Sequence, residues 1–209
     1  MMSAPTTADI QPTAIGWGSA GILMTPEEFD AITDYDDLYR YELIHGVLVV
    51  NPIPSEAEVG PNEQLGRMLL NYRDQHPRGT ALDDTLPERY VRTRDSRRRA
   101  DRVIWAGLGR QPNPRVDLPT IVIEFVSASK RDRQRDYVEK RRKYLEIGVA
   151  EYWIIDRFRR VMTVYRKETA KPAEQLVGEK ETYRTDLLPG FELPLARLLA
   201  VADAWKESE

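Results

Sequence analysis

Hydrophobic and polar positions follow two different periods along the chain, and the period changes from segment to segment. In RYELIHGVLVVNP, two apolar-rich runs flank His45-Gly46, which predicts a β-hairpin. In NEQLGRMLLNYRDQ, apolar residues recur at three- and four-residue spacing after Asn62, which predicts an amphipathic helix. The segments ERYVRT and ADRVIWAG are typical of strands, and EYWIIDR with VMTVYRK predicts a second hairpin.

Capping residues mark where further helices begin and end. Thr25, Pro26 and Glu28 form a capping-box sequence, so a short helix is expected there. The segment RDRQRDYVEKRRKYLEIG is helical in pattern and is expected to stop at Gly148, and a short apolar helix should close the chain. Strands mixed with helices in this order predict an α/β fold with a central mixed β-sheet flanked by α-helices. Residues 1–21 are interpreted as a flexible leader and residues 22–209 as a single domain.

One predicted strand carries a charge in its apolar interior. In LPTIVIEFVSAS, Glu124 lies between Ile123 and Phe125 in a run that is typical of a strand buried on both faces. An ionised carboxylate in such a place loses hydration worth several kcal/mol unless a cation or hydrogen-bond donors replace the water. Glu124 therefore needs a partner elsewhere in the chain.

A second acid, Asp101, is placed so that it could share a cation with Glu124. In RADRVIWAG, Asp101 shares one strand face with Val103 and Trp105. Two acids on neighbouring strands could hold one divalent ion, and magnesium commonly takes one or two carboxylates plus waters. The alternative is that Asp101 is a strand-edge acid paired with nearby arginines, a common surface arrangement.

The helix after Glu124 offers a basic partner. At about 100° per residue, Lys140 falls within its apolar face. The other members of that face are Tyr137, Val138, Tyr144, Leu145 and Ile147. Arg141 also falls within the arc and could extend its charge to solvent, so spacing alone does not single out Lys140.

Composition narrows the chemistry. The chain has 209 residues with 31 basic and 34 acidic side chains, a net charge of −3, and no cysteine. Disulfides, thiol nucleophiles and cysteine-ligated zinc are therefore excluded. With His45 and His76 as the only two histidines, a histidine-rich site is not expected either. No signal sequence or membrane-spanning apolar run is present, which favours a cytoplasmic protein without a membrane partner.

Several segments together resemble a known family. They are RYELIHGVLVV, RADRVIW, IVIEFVSAS, DYVEKRRKYLEIGVAEYWIID and LLPGFELPL. These resemble the Uma-two family of putative restriction endonucleases, long treated as a domain of unknown function and placed in the PD-(D/E)XK nuclease superfamily. The resemblance covers about residues 22–200. It implies a restriction-endonuclease-like fold.

The resemblance also implies roles for individual residues. Its aspartate and glutamate fall on Asp101 and Glu124, which would hold Mg²⁺, with Mn²⁺ as a substitute, together with the carbonyl of Phe125. In this family the catalytic lysine lies in the helix that follows the glutamate strand, and the matching position here is Lys140. A further family glutamate falls on Glu42, a candidate fourth acid.

Three positions depart from the patterns of the superfamily or the family. Val126 stands two residues after the glutamate, where the superfamily usually has its lysine. Ala100 replaces a frequent proline, which contributes no ligand. Asn62 stands where members often have histidine.

The implied activity is metal-dependent hydrolysis of DNA phosphodiester bonds. Basic islands surround the two acids, as residues that steer phosphate should. The expected phosphate contacts are Arg97, Arg98, Arg99, Arg102 and Arg133. Cutting both strands of a duplex would be easiest for a symmetric homodimer. Two alternatives stay open: a nuclease-like module that binds nucleic acid or protein without cutting, and a hydrolase of another phosphate or a toxin–antitoxin component.

Overall fold

The computed structural model of the protein describes residues 14–127, 135–167 and 173–205, with the backbone alone at 135 and 136. Residues 1–13, the larger part of the predicted leader, lie outside these ranges. The described chain divides into two compact units. The first contains the residues up to Ile53 and Arg92–Arg98, and the second contains Pro54–Val91 and the residues from Arg99 onward.

The helices and strands follow one another in mixed order. They are α1 (Pro26–Asp30), β1 (Tyr39–Ile44), β2 (Val47–Pro52), α2 (Glu56–Gln75), β3 (Leu82–Arg92), β4 (Arg97–Ala106), β5 (Ile121–Phe125), a π-helix (Arg135–Lys140), α3 (Arg141–Ile147), β6 (Glu151–Asp156), β7 (Val161–Arg166), β8 (Ala173–Gly178), β9 (Thr182–Tyr183), β10 (Leu193–Pro194) and α4 (Leu195–Asp203). Short 3-10 turns occur at Trp17–Ser19 and Gly79–Ala81.

The first unit contains the predicted hairpin and the first capped helix. β1 and β2 pair antiparallel about His45 and Gly46, whose φ angles of 50° and 77° are those of a tight two-residue turn. The Glu28 N–H donates to Thr25 Oγ1 at 3.1 Å, and the Thr25 N–H donates to the Glu28 carboxylate at 2.6 Å. Both sequence predictions are confirmed, since local turn and cap chemistry determines them.

The second unit is built on a mixed sheet. Its strands from β4 to β8 lie in chain order, and β3 pairs with the other side of β4. β5 and β6 are parallel, whereas β4–β5, β6–β7 and β7–β8 are antiparallel. A parallel pair needs a crossover, and the helical segment from Arg135 to Ile147 lies in that connection.

Apolar residues cover both faces of this sheet. On one face, Leu65 and Leu69 of α2 and Leu198 of α4 pack in one core with Ile121 and Ile123 of β5. On the other, Tyr144 and Leu145 of α3 pack with Val103 of β4 and Val122 of β5. The predicted α/β fold, a mixed central sheet flanked by helices, is confirmed.

The start of α2 was predicted wrongly. The helix begins at Glu56 and not at Asn62, because Ser55 and Glu58 cap it and Pro61 is accommodated inside it. The Ser55 N–H donates to Glu58 Oε2 at 2.9 Å. Gly60 and Pro61 are typical breakers, and here the cap and the packing outweigh them.

Across the residues that the structure describes, none of the helices is both long and apolar enough to cross a membrane.

Candidate active site

The pairing of β4 with β5 places the two predicted acids side by side. Arg102 pairs with Ile123 and Val103 with Val122, so the next step of the same register sets Asp101 opposite Glu124. Residues directly opposite in an antiparallel pair point to the same face. The Phe125 N–H donates to Asp101 Oδ2 at 2.7 Å, so this carboxylate reaches the strand that carries Glu124. The prediction that the acids lie on adjacent strands of one sheet is confirmed.

Glu124 is buried against a lysine. Lys140 Nζ lies 2.9 Å from Glu124 Oε2, and each side chain is 3% exposed. The Tyr144 hydroxyl donates to the other oxygen, Oε1, at 3.3 Å. A buried carboxylate is tolerated when a cation and hydrogen-bond donors replace its water. These two partners explain how an acid occupies the interior of an apolar strand.

The backbone around Lys140 is unusual. Arg135–Lys140 form a π-helix, and the chain continues as the α-helix Arg141–Ile147. π-Helical turns within helices are rare and occur frequently at functional sites. Lys140 and Tyr144 are four residues apart, the spacing at which side chains share one helix face, and both contact Glu124.

The backbone carbonyl of Asp101 is bound on the opposite face of the sheet. Asn62 Nδ2 donates to Asp101 O at 2.8 Å, and Arg102 Nε donates to Asn62 Oδ1 at 2.7 Å. Burial lowers the pKa of Arg102, which is 3% exposed. Sequence reasoning assigned Asn62 no role; a polar residue at a buried position of an amphipathic helix was the available signal.

The remaining predicted site residues are Glu42 and Phe125. Glu42 belongs to β1 of the first unit, is 3% exposed, and accepts a hydrogen bond from Asn51 at 3.4 Å. Phe125 is buried at the end of β5. Their roles as a fourth acid and as a carbonyl ligand stay predictions.

Three of the predicted phosphate contacts are wrong. Arg98 and Arg102 are 1% and 3% exposed, so neither guanidinium is presented to a nucleic acid. Arg97 is 8% exposed, and its side chain binds Asp30 through Nε at 2.9 Å. Arg99 is partly exposed and lies 2.8 Å from Glu88. Arg133 lies outside the described residues.

The donor chemistry of the site fits a hard divalent cation. Asp101 and Glu124 supply carboxylate oxygens, and Mg²⁺ usually takes one or two carboxylates and keeps several waters. Within residues 14–127, 135–167 and 173–205, no group of three or more histidine, aspartate or glutamate side chains is arranged to hold a metal ion.

A second buried acid shows that burial alone does not indicate catalysis. Glu151 of β6 is 4% exposed and lies on the sheet face of α2. Its carboxylate accepts hydrogen bonds from four side chains at 2.8 to 2.9 Å: Trp153, Arg166, Tyr183 and Thr185. These donors satisfy Glu151 within the core, which gives the acid at the start of EYWIIDR a structural role.

Comparison with known proteins agrees with this architecture. Residues 26–196 match the model of the Uma2 family, described as "Putative restriction endonuclease". The fold is similar to the crystal structure of a putative nuclease belonging to DUF820 from Anabaena variabilis ATCC 29413. That likeness has a TM-score of 0.67 at 15% identity and covers 86% of this chain and 99% of the other. At this identity it shows the fold alone, and no curated protein matches the chain.

Proposed function

The chain belongs to the Uma2 family of putative restriction endonucleases, and from this premise we propose that it is a metal-dependent endonuclease that hydrolyses DNA phosphodiester bonds. The observation that carries the proposal is the buried Lys140–Glu124 pair, in which Lys140 Nζ lies 2.9 Å from Glu124 Oε2. Glu124 lies on β5, the strand next to the one that carries Asp101. A buried ion pair seldom improves stability over apolar residues of similar size, so its presence calls for another reason. Phosphate chemistry supplies that reason.

Three groups of the chain would hold the metal: the carboxylates of Asp101 and Glu124 and the carbonyl of Phe125. Mg²⁺ is the proposed ion and Mn²⁺ its substitute, since both suit oxygen ligands. When bound, the ion supplies Lewis-acid polarisation of the scissile phosphate and makes a water more acidic.

The side chains around the carboxylates have separate tasks. The Lys140 ammonium would orient the attacking water or neutralise the charge that grows on the phosphate. The Tyr144 hydroxyl, at 3.3 Å from Glu124 Oε1, holds the orientation of that carboxylate. Glu42 is the proposed fourth acid. No histidine base takes part in this scheme.

DNA is the proposed substrate, and a homodimer is the proposed form for cutting a duplex. The burial of Arg97, Arg98 and Arg102 removes most of the basic residues expected to contact phosphate. Arg99 is part-exposed beside Glu88, and Arg133 keeps its proposed contact.

A non-cleaving nucleic-acid or protein binding module is the second candidate. It is favoured by the internal contacts of the acids: Glu124 has Lys140 and Tyr144, and Asp101 has the Phe125 N–H. Such contacts give each carboxylate a hydrogen-bond donor without an ion. Metal binding and turnover therefore separate the two candidates.

The test begins with metal binding in the absence of DNA. Calorimetric titration with Mn²⁺ should show binding that Asp101→Asn and Glu124→Gln weaken strongly. Asp74→Asn is the matched control, because Asp74 is a 64% exposed acid on α2. Incubation with plasmid DNA, single-stranded DNA and RNA should then show Mg²⁺-dependent cleavage of DNA that EDTA stops. Binding without cleavage of any of these would favour the second candidate, and equal Mn²⁺ binding by all four proteins would exclude the proposed site.

A further inference from the structure

A buried polar cluster lies directly behind Asp101, on the sheet face covered by α2. It consists of Asn62 of α2, Arg102 of β4 and Thr85 of β3. Asn62 and Arg102 are 6% and 3% exposed. Burying a guanidinium is costly, so the cluster needs a reason beyond helix packing, which apolar residues would achieve at lower cost.

The two neighbours of Asn62 determine how its amide is turned. Arginine can only donate hydrogen bonds, so Arg102 Nε, at 2.7 Å, must face the amide oxygen. A backbone carbonyl can only accept, so Asp101 O, at 2.8 Å, must face the amide nitrogen. The orientation of this amide thus follows from its partners, with Arg102 holding the nitrogen toward Asp101.

Side chains bind both carbonyls that flank Arg102 on β4. Asn62 donates to Asp101 O, and Thr85 Oγ1 donates to Val103 O at 3.0 Å. β3 is the strand next to β4. The carbonyl of the candidate ligand is bound by a side chain of α2.

Arg102 has space only because α2 carries a glycine beside it. A Cβ built on Gly66 would lie 2.7 Å from Arg102 Nη2 and 2.9 Å from its Cζ. Any larger residue at position 66 must displace the guanidinium and, through it, the Asn62 amide. A side chain at position 66 should therefore shift Arg102 and, with it, the Asn62 amide.

We propose that Asn62, oriented by Arg102, is a positioning residue for Asp101 and sets the affinity of the metal site; this rests on the proposed function. Asp101 is then held at two points, its carboxylate by the Phe125 N–H and its carbonyl by Asn62. Side chains that orient metal ligands in this way commonly contribute roughly 10–100-fold to metal affinity or activity.

Mn²⁺ titration of the full chain without DNA tests the inference. Asn62→Leu keeps the branched shape and the number of heavy atoms of the side chain but removes both its donor and its acceptor, and should weaken Mn²⁺ binding by roughly 10–100-fold. Gly66→Ala removes no polar atom and raises helix propensity, yet it should also weaken Mn²⁺ binding because it displaces Arg102. Urea unfolding of each variant separates this effect from loss of the fold.

Gly60→Ala is the matched control, since it makes the same change on the same helix. Its Cβ would meet Trp205 Nε1 at 3.0 Å and Val201 at 3.1 Å, away from Arg102. It should bind Mn²⁺ like the parent. If the parent binds Mn²⁺ and Gly66→Ala and folded Asn62→Leu bind it equally well, the positioning role is wrong while the proposed function stands. If Asn62→Leu does not fold, Gly66→Ala decides. A parent that binds no Mn²⁺ would instead overturn the proposed function, and the positioning role with it.

Discussion

Removing the Lys140 ammonium tests whether the buried pair exists for chemistry or for stability. Lys140→Met keeps an unbranched side chain of similar length and leaves Glu124, with its side chain 3% exposed, without its cation. Breaking a buried pair by removing one partner typically costs about 3–5 kcal/mol. For a chain of this size, each 1 kcal/mol lowers the melting temperature by roughly 2–4 °C. We therefore expect a fall of roughly 6–20 °C, measured by circular dichroism.

The double variant Lys140→Met/Glu124→Met should recover stability. Replacing both members of a buried pair by apolar residues is often neutral or stabilising by about 1–4 kcal/mol. Tyr144 then loses its acceptor, which sets the recovery back by about 1–3 kcal/mol. The double variant should thus be more stable than Lys140→Met, although it carries one more change.

Activity should not recover with stability. Once a DNA substrate is cleaved by the parent, single-turnover rates should fall on the order of a hundredfold or more in Lys140→Met. The double variant should be inactive despite its recovered melting temperature. Lys143→Met, a change of the same type on the same helix, should alter both quantities little. If the double variant is no more stable than Lys140→Met, the prediction that Lys140 and Glu124 stabilise each other as a pair is wrong. If Lys140→Met cleaves as fast as the parent, its catalytic role is wrong.

Three further predictions concern the core and the helix end. Glu151→Gln should lower the free energy of unfolding by about 1.5–3 kcal/mol in urea while Mn²⁺ binding stays at the parent level; a loss of Mn²⁺ binding would contradict its structural role. Gly148→Ala should cost about 1–2 kcal/mol, because Gly148 ends α3 at φ 107°, and an unchanged urea midpoint would contradict this. Burial, and then the charge of Asp156, raises the pKa of Tyr137 to about 12, above about 10 in the unfolded chain. Its contribution to stability should be fully present below about pH 10 and be lost toward pH 12, so Tyr137→Phe should show a shallower alkaline loss of the urea midpoint than the parent.

Local signals in the sequence accounted for several elements. The β1–β2 hairpin and the α1 cap follow from His45-Gly46 and from Thr25 with Glu28, whose contacts span only a few residues. The start of α2 was missed by six positions, because the helical spacing was followed from Asn62 whereas the helix begins at Glu56 and contains Gly60 and Pro61. Packing against the sheet and α4 outweighs the cost of a proline, and such long-range packing leaves no local sign in the sequence.

The sequence predicted the burial of one charged residue correctly and missed the burial of three others. The apolar run around Glu124 indicated a buried acid in need of a partner, and Lys140 is that partner. Arg97, Arg98 and Arg102 were interpreted as a surface island, yet all three are buried. An arginine-rich strand has the same pattern whether its side chains face solvent or a helix, so periodicity could not decide between the two.

The sequence by itself determined the strand that carries Glu124 and the helical segment that carries Lys140, because periodicity and residue type are local properties. Only the tertiary structure decided which partners each buried acid has. Glu124 and Glu151 both lie in buried strands, but Glu124 faces Lys140 beside Asp101 whereas Glu151 is satisfied by four side chains of the core. The same holds for Asn62, which reaches Asp101 across 39 positions of chain. The physical reason is that a buried charge is stabilised by whichever donors the fold brings within hydrogen-bonding distance, and these come from segments far apart in the sequence.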